Sequence, residues 1–260
     1  MTDIVTVNWN GMDIKVSSGT TLQELAGRYS KPSPAVVAAK VDNKVRELTY
    51  SVKQDCKVET IDLSMKDGER IYTRSLAFVF IRACKELFPD CTVTIEHSFG
   101  GGLYCEVHGS FTLTPRRVEQ IEQQMHSIIQ NDEPFEKIDV SKEEARNIFR
   151  EMGWFDKIEI LKYRPEDTIS LYKCGWMTDY LFGYMVPSTG YLKDFGLKFY
   201  LPGVILQFPS AEDPSQVRPF HDNPKLFKVF RQAEKWSAAL GIRNIPDLNR
   251  WIEEGRGPEL

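Results

Sequence analysis

The sequence is informative first for what it lacks. No run of about 18 apolar residues occurs, so no membrane span and no membrane partner are expected. The start, Met1-Thr2-Asp3-Ile4, has neither the basic residues nor the apolar run of a secretory leader. Cysteine is scarce and scattered: Cys56, Cys84, Cys91, Cys105 and Cys174 make an odd set without a C-x-x-C pair. That argues for free thiols in a reducing compartment, and a cytoplasmic location is expected. The phosphate-cradling pattern G-x-x-x-x-G-K-[ST] is absent, and no ATP site is legible. A basic surplus is also missing. The formal net charge is −4, with nine Lys/Arg against eight Asp/Glu over Met1–Lys66, 16 against 23 over Asp67–Ser215, and eight against six over Gln216–Leu260. The acidic middle lacks the composition that nucleic-acid surfaces draw on.

What remains is a chain of 260 residues, 42% hydrophobic and 27% charged, able to bury one large core or two modest ones. The first 66 residues read as a compact β-rich unit. Ile4, Thr6 and Asn8 alternate with Val5, Val7 and Trp9, Asn10-Gly11 supplies a hairpin turn, and Met12–Val16 returns. Thr21-x-x-Glu24 is a capping box opening a short helix. Val36–Val41 and Lys57–Leu63 are strand candidates, with Asp42-Asn43 as a turn. This β-β-α-β-β order suggests a ubiquitin-like β-grasp.

A second α+β unit is expected over 67–215. Ser75–Phe88 has a helical apolar face (Leu76, Val79, Phe80, Ala83, Leu87), and Thr92–Glu96 and Leu103–Val107 are strands around Gly100-Gly101-Gly102. Thr114-Pro115 opens a helix through about residue 130, with Val118, Ile121, Met125 and Ile128 on one face. Ser141-x-x-Glu144 is another capping box, and strands then alternate with turns through Leu206. Over 216–260 a helical tail is expected, with Asp222-Asn223-Pro224 opening a helix that carries Leu226, Val229, Phe230, Ala233 and Trp236, and then a short helix with Leu248, Trp251 and Ile252. The fold class is α+β, with helices packed on an antiparallel sheet.

Most candidate chemistry reduces to ordinary structure. The glycine run reads as a hairpin loop rather than a phosphate cradle, because a strand follows it. Cys105-x-x-His108, with or without His97, is a poor zinc site: alternation turns Cys105 to the apolar face and His108 away, and no fourth ligand is apparent. His126 and His221 lack catalytic neighbours, and Glu143-Glu144 and Glu253-Glu254 read as solvated faces. Asp179 is the exception. It stands in the apolar and aromatic run Trp176–Met185, where a carboxylate is costly unless bonded or used, so capping a turn and contacting a ligand both stay open.

The same segments resemble a known pair of domains. Residues 1–66 resemble the TGS domain of threonyl-tRNA synthetase, and 67 to about 207 resemble the editing domain that follows it. The resemblance runs through Ala83-Cys84-Lys85-Glu86-Leu87-Phe88-Pro89-Asp90, Ile121-Glu122-Gln123-Gln124-Met125, Lys157-Ile158-Glu159-Ile160-Leu161, Leu171-Tyr172, Gly175, Asp179 and Pro187-Ser188-Thr189-Gly190. That family hydrolyses mischarged seryl-tRNA with a His-x-x-x-His and a Cys-x-x-x-His. Here those positions are Arg74, Phe78, Leu181 and Met185, so the resemblance implies no catalytic residue and no metal. It leaves Arg74, Tyr104, Lys157, Tyr172 and Asp179 as candidate ligand contacts, with Arg74 bridging to Asp179 or holding a carboxylate or phosphate.

The chain also resembles the N-terminal half of bacterial uridine or nucleoside kinases, including Phe199-Tyr200-Leu201-Pro202-Gly203 and the Trp236…Leu248-Asn249 tail. That resemblance implies a regulatory or ligand-binding region whose partner is a kinase domain beyond Leu260. ATP and Mg are then expected only there, and no cofactor in this chain. The alternatives are an RNA-binding module for a tRNA acceptor end, or a free-standing aminoacyl-tRNA deacylase.

Overall fold

The computed structural model describes residues 3–242 and 244–257. Met1, Thr2, Arg243 and the last three residues of the expected tail lie outside them. Along the chain run β1 (Ile4–Trp9), β2 (Met12–Ser17), α1 (Leu22–Tyr29), β3 (Val36–Val41), β4 (Lys44–Glu47), β5 (Cys56–Asp62), α2 (Lys66–Leu87), β6 (Thr92–Phe99), β7 (Gly102–His108) and α3 (Pro115–Gln130). Then come β8 (Glu136–Ser141), α4 (Lys142–Glu151), α5 (Phe155–Ile160), β9 (Thr168–Cys174), β10 (Met177–Asp179), β11 (Gly196–Tyr200), β12 (Gly203–Gln207), α6 (Pro224–Ala239) and α7 (Ile245–Glu253). The chain is α+β, and no helix among the described residues is long and apolar enough to cross a membrane.

Contacts divide the chain into two units: Met1–Phe135 with Phe182–Phe220, and Glu136–Leu181 with His221–Leu260. Both are discontinuous in sequence. The linear boundaries at 66/67 and 215/216 describe succession along the chain rather than contact.

In the first unit, β2-β1-β5-β3-β4 form a five-stranded sheet, with β1 and β5 parallel and the other neighbours antiparallel. Asn10-Gly11 and Asp42-Asn43 turn its hairpins with φ values of 49° and 91°, and 47° and 64°. Those left-handed pairs match the strand twist. Val5, Val7 and Trp9 point into the core beside Leu22 and Leu25 of α1, which Thr21 and Glu24 cap reciprocally. Strand β4 escapes sequence reading because Lys44–Glu47 carries three charges in four residues and sits at the sheet edge.

The other sheet of this unit is antiparallel, in the order β11-β12-β7-β6. Helix α2 packs on β6 and α3 on β11, and the two helices pack on each other. Apolar periodicity alone starts α2 near Ser75. It begins at Lys66, because Asp67 and Glu69 favour the positive end of the helix dipole and Gly68 fits tightly against β5's end.

The second unit has the antiparallel sheet β10-β9-β8 with α4 against β8 and β9. Its core is small: Val140, Ala145, Phe149, Leu161, Ile169 and Leu171, with Trp154 and Tyr180 packed around them. Helix α5 follows a turn at Gly153 and is invisible to pattern reading at six residues. Asn223 caps α6 as expected, but no side chain of α6 is buried, so its apolar face is not a core face.

Candidate functional site

The Lys157-Asp179 pair lies wholly within the second unit. Hairpin β9–β10 places Asp179 opposite Tyr172, and both are buried. Asp179 ends the short strand β10, where its Oδ1 accepts the backbone N–H of Tyr180 at 2.5 Å and contacts Lys157 Nζ. Its Oδ2 is buried and has no hydrogen-bond partner among the described residues. Burial pushes the Asp179 carboxyl up to about 6; the Lys157 ammonium pulls it down, and Asp156 adds a smaller upward push. Burial wins because a carboxylate accepting one direct N–H bond and one ion pair has not recovered its full hydration.

Lys157 belongs to α5, whose start is set by the Trp154 N–H bonding to the Phe149 carbonyl at 2.8 Å. Its ammonium lies 4.1 Å from the centre of the Trp154 ring, so a half-buried aromatic face and the carboxylate hold it together. The spacing of three along α5's first turn is the sequence signal for that contact. Beside the pair, Arg164 bonds and stacks on Tyr180.

Phe78 and Met185, at positions where the resemblance implies a lost catalytic cluster, take part in ordinary packing of the first unit. Phe78 is fully buried on α2 and meets Phe135 edge to face, with ring centres 5.4 Å apart. Met185 is buried, and its sulfur lies 3.4 Å from the Ser75 hydroxyl oxygen. Ser75 Oγ also accepts the Val186 N–H at 3.0 Å and donates to the Ile71 carbonyl at 2.8 Å. Leu181 is half-buried in the second unit. Phenyl, thioether and isobutyl groups offer neither a general base nor a strong metal ligand.

Arg74 Nη1 donates to the Tyr184 carbonyl at 2.7 Å. Gly183, at φ +112°, lies so close to the guanidinium that an added Cβ would stand 2.6 Å from Arg74 Cζ. Arg74 belongs to the first unit and Asp179 to the second. Each is engaged within its own unit. Gly183→Ala should cost about 1–2 kcal/mol, from the left-handed backbone and the crowded guanidinium together. In a double-mutant cycle followed by urea unfolding, Arg74→Ala should recover part of that cost. Strict additivity would remove the contact from the explanation.

Tyr104 is fully buried on β7 and donates to Glu106 Oε1 at 2.7 Å. It pairs across the strands with His97, whose pKa burial lowers. Alternation separates this face from that of Cys105, so Tyr104 groups with His97 and Glu106 rather than with Phe78. Cys105 is buried and His108 exposed, meeting Glu106 at 3.2 Å. The glycine run turns the β6–β7 hairpin, with Gly102 tight against the Leu206 carbonyl. Among the described residues no three His, Cys, Asp or Glu side chains gather as a metal-binding group.

The chain is similar to part of several threonine–tRNA ligases. The chain is 34% identical over 186 residues to a threonine–tRNA ligase of Clostridium kluyveri, covering 71% of this chain and 29% of that protein. To that of Desulforamulus reducens it is 36% identical over 181 residues, covering 69% and 28%. To that of Halalkalibacterium halodurans it is 33% identical over 202 residues, covering 76% and 31%. The chain thus spans about three tenths of the length of these relatives. No protein-family model matches it.

Proposed function

We propose that this chain is a tRNA-related module that takes the acceptor end of a tRNA without hydrolysing an aminoacyl ester. The similarity to threonine–tRNA ligases over about seven tenths of the chain carries this reading. The side chains at the degenerate positions support the second half of it. Serine release needs a group that moves a proton or activates water near neutral pH. Phe78, Leu181 and Met185 have none, and a guanidinium at Arg74 stays protonated.

Binding has to come from a few placed cations, given the 16 basic against 23 acidic residues over 67–215. Lys157, with a side chain 22% exposed beside Trp154, offers a cation and a ring face that suit a phosphate and a stacked base. Arg74, in the first unit, is a separate candidate contact for a carboxylate or phosphate. The relatives reported above are ligases and lend nothing to a nucleoside-kinase partner, which rests on resemblance alone.

The test combines anisotropy of end-labelled tRNA with hydrolysis of seryl-tRNA by wild type and Arg74→Ala. Binding is expected in the micromolar range at low salt, weakening steeply as salt rises, because phosphate contacts release counterions. No protein-dependent serine release is expected from either form. Absence of tRNA binding at low salt would overturn the binding half, and serine release the other.

A further inference from the structure

Because no side chain of α6 is buried, what it presents to solvent follows from the helical period. Lys225, Lys228 and Lys235 fall within an arc of about 80° and span about 15 Å of the helix axis, with Gln232 among them. All three lysines are exposed, and none has an ion-pair partner among the described residues. From Pro224 to Ala239, Lys225, Lys228, Arg231 and Lys235 stand against Glu234, net +3 in a chain of net −4. The Glu234 carboxylate is held by Arg231 at 2.8 Å, so it does not neutralise the row. Nor do these cations serve the helix itself. The first turn of α6 has Lys225 and no acidic residue, and its last turn has no basic one. The helix dipole favours the reverse on both counts.

We propose that the row Lys225, Lys228 and Lys235 seats the phosphate backbone of an RNA duplex. Resting on the tRNA reading above, the row holds the acceptor stem and leaves the single-stranded end to Lys157 and Trp154. Ammonium groups on flexible stems meet phosphates as point charges, and such contacts position a duplex without reading its sequence. An anionic lipid surface fits less well. The exposed Leu226, Val229 and Trp236 form a stripe on another side of α6. A bilayer that took in this stripe would leave Lys228 and Lys235 turned about 110–130° from its middle, toward water.

Fluorescence anisotropy of the full chain with a short blunt-ended RNA duplex, followed across a salt series, tests the proposal. That probe lacks the single-stranded end on which the tRNA reading depends. The wild type should bind it. Replacing Lys225, Lys228 and Lys235 together by glutamine should lower the affinity at low salt about thirtyfold, and the slope of log affinity against log salt by about three. Glutamine has nearly the helix propensity of lysine, and circular dichroism verifies that the variant is folded. The same charge change on exposed lysines of the first unit, Lys15→Gln with Lys53→Gln and Lys193→Gln, should keep the wild-type slope. A wild type blind to the duplex, a triple α6 variant that binds it unchanged, or an equal loss in the first-unit control would each overturn the lysine row. So would an α6 variant that keeps the duplex but loses capture of phosphatidylserine vesicles. End-labelled tRNA separates the two readings: tRNA bound without duplex binding sinks the row alone, and duplex bound without tRNA binding sinks the acceptor-end reading.

Discussion

Replacing Lys157 by methionine should destabilise the second unit by about 3–5 kcal/mol at pH 8, the range for removing one partner of a buried ion pair. The loss comes from the carboxylate left behind rather than from the attraction surrendered. Asp179 would keep the Tyr180 N–H, while its Oδ2 has no hydrogen-bond partner among the described residues. The cluster of buried side chains beside it is small, six residues around Phe149 and Leu171, and has little margin to absorb that. Adding Asp179→Leu to Lys157→Met should return most of the stability, because an apolar pair of similar volume carries no desolvation penalty.

The pH dependence supplies a signature that a packing defect would not show. The Asp179 carboxyl titrates at about 6 in the folded protein against an ordinary 3.8. The folded state therefore binds this proton more tightly than the unfolded chain does. The resulting stability is fully present below about pH 4 and is lost as pH rises through about 6. It amounts to on the order of 3 kcal/mol for a shift of about two units. Wild type should thus lose stability in its second unit across that window, and Asp179→Asn should flatten the profile. In Lys157→Met the carboxyl rises further, so the penalty should shrink as pH falls toward 4. Urea unfolding with hydrogen exchange at α4, β8 and β9 reads all three. A pH-independent loss in Lys157→Met would remove the buried carboxylate from the explanation.

Gly68→Ala should cost about 3 kcal/mol, opposite in sign to the usual gain of about 1 kcal/mol for that change inside a helix. Gly68 lies in the first turn of α2, and a Cβ there would stand 2.0 Å from the Asp62 carbonyl oxygen and 2.7 Å from its carbon. Both are backbone atoms at the end of β5, which pairs with β1 and β3, so the neighbour cannot rotate away. Either α2 shifts or the strand end does. Thermal unfolding of the variant checks this, and a melting temperature equal to or above wild type would show that the junction yields freely.

Wherever one residue's chemistry acts on its immediate neighbours, the sequence alone was enough. Asn10-Gly11 and Asp42-Asn43 demand left-handed turns, Thr21 and Glu24 cap α1, Pro115 opens α3 behind Thr114, and Pro224 opens α6 behind Asn223. Alternation placed Val5, Val7 and Trp9 inward, and Cys105 away from His108. That Arg74, Phe78, Leu181 and Met185 offer no general base near neutral pH is equally a property of residue identity.

Tertiary structure decided what depends on partners distant in the chain. Periodicity reports only the buried face of a helix, so the charged first turn of α2 and the edge strand β4 stayed hidden. The ionic partner of Asp179 lies 22 residues away on α5, a helix too short to leave a periodic trace. The apolar pattern of α6 is the same whether its face is covered or open. Only the fold shows that Leu226, Val229 and Trp236 meet water, because burial belongs to the packing around a side chain and not to the side chain itself.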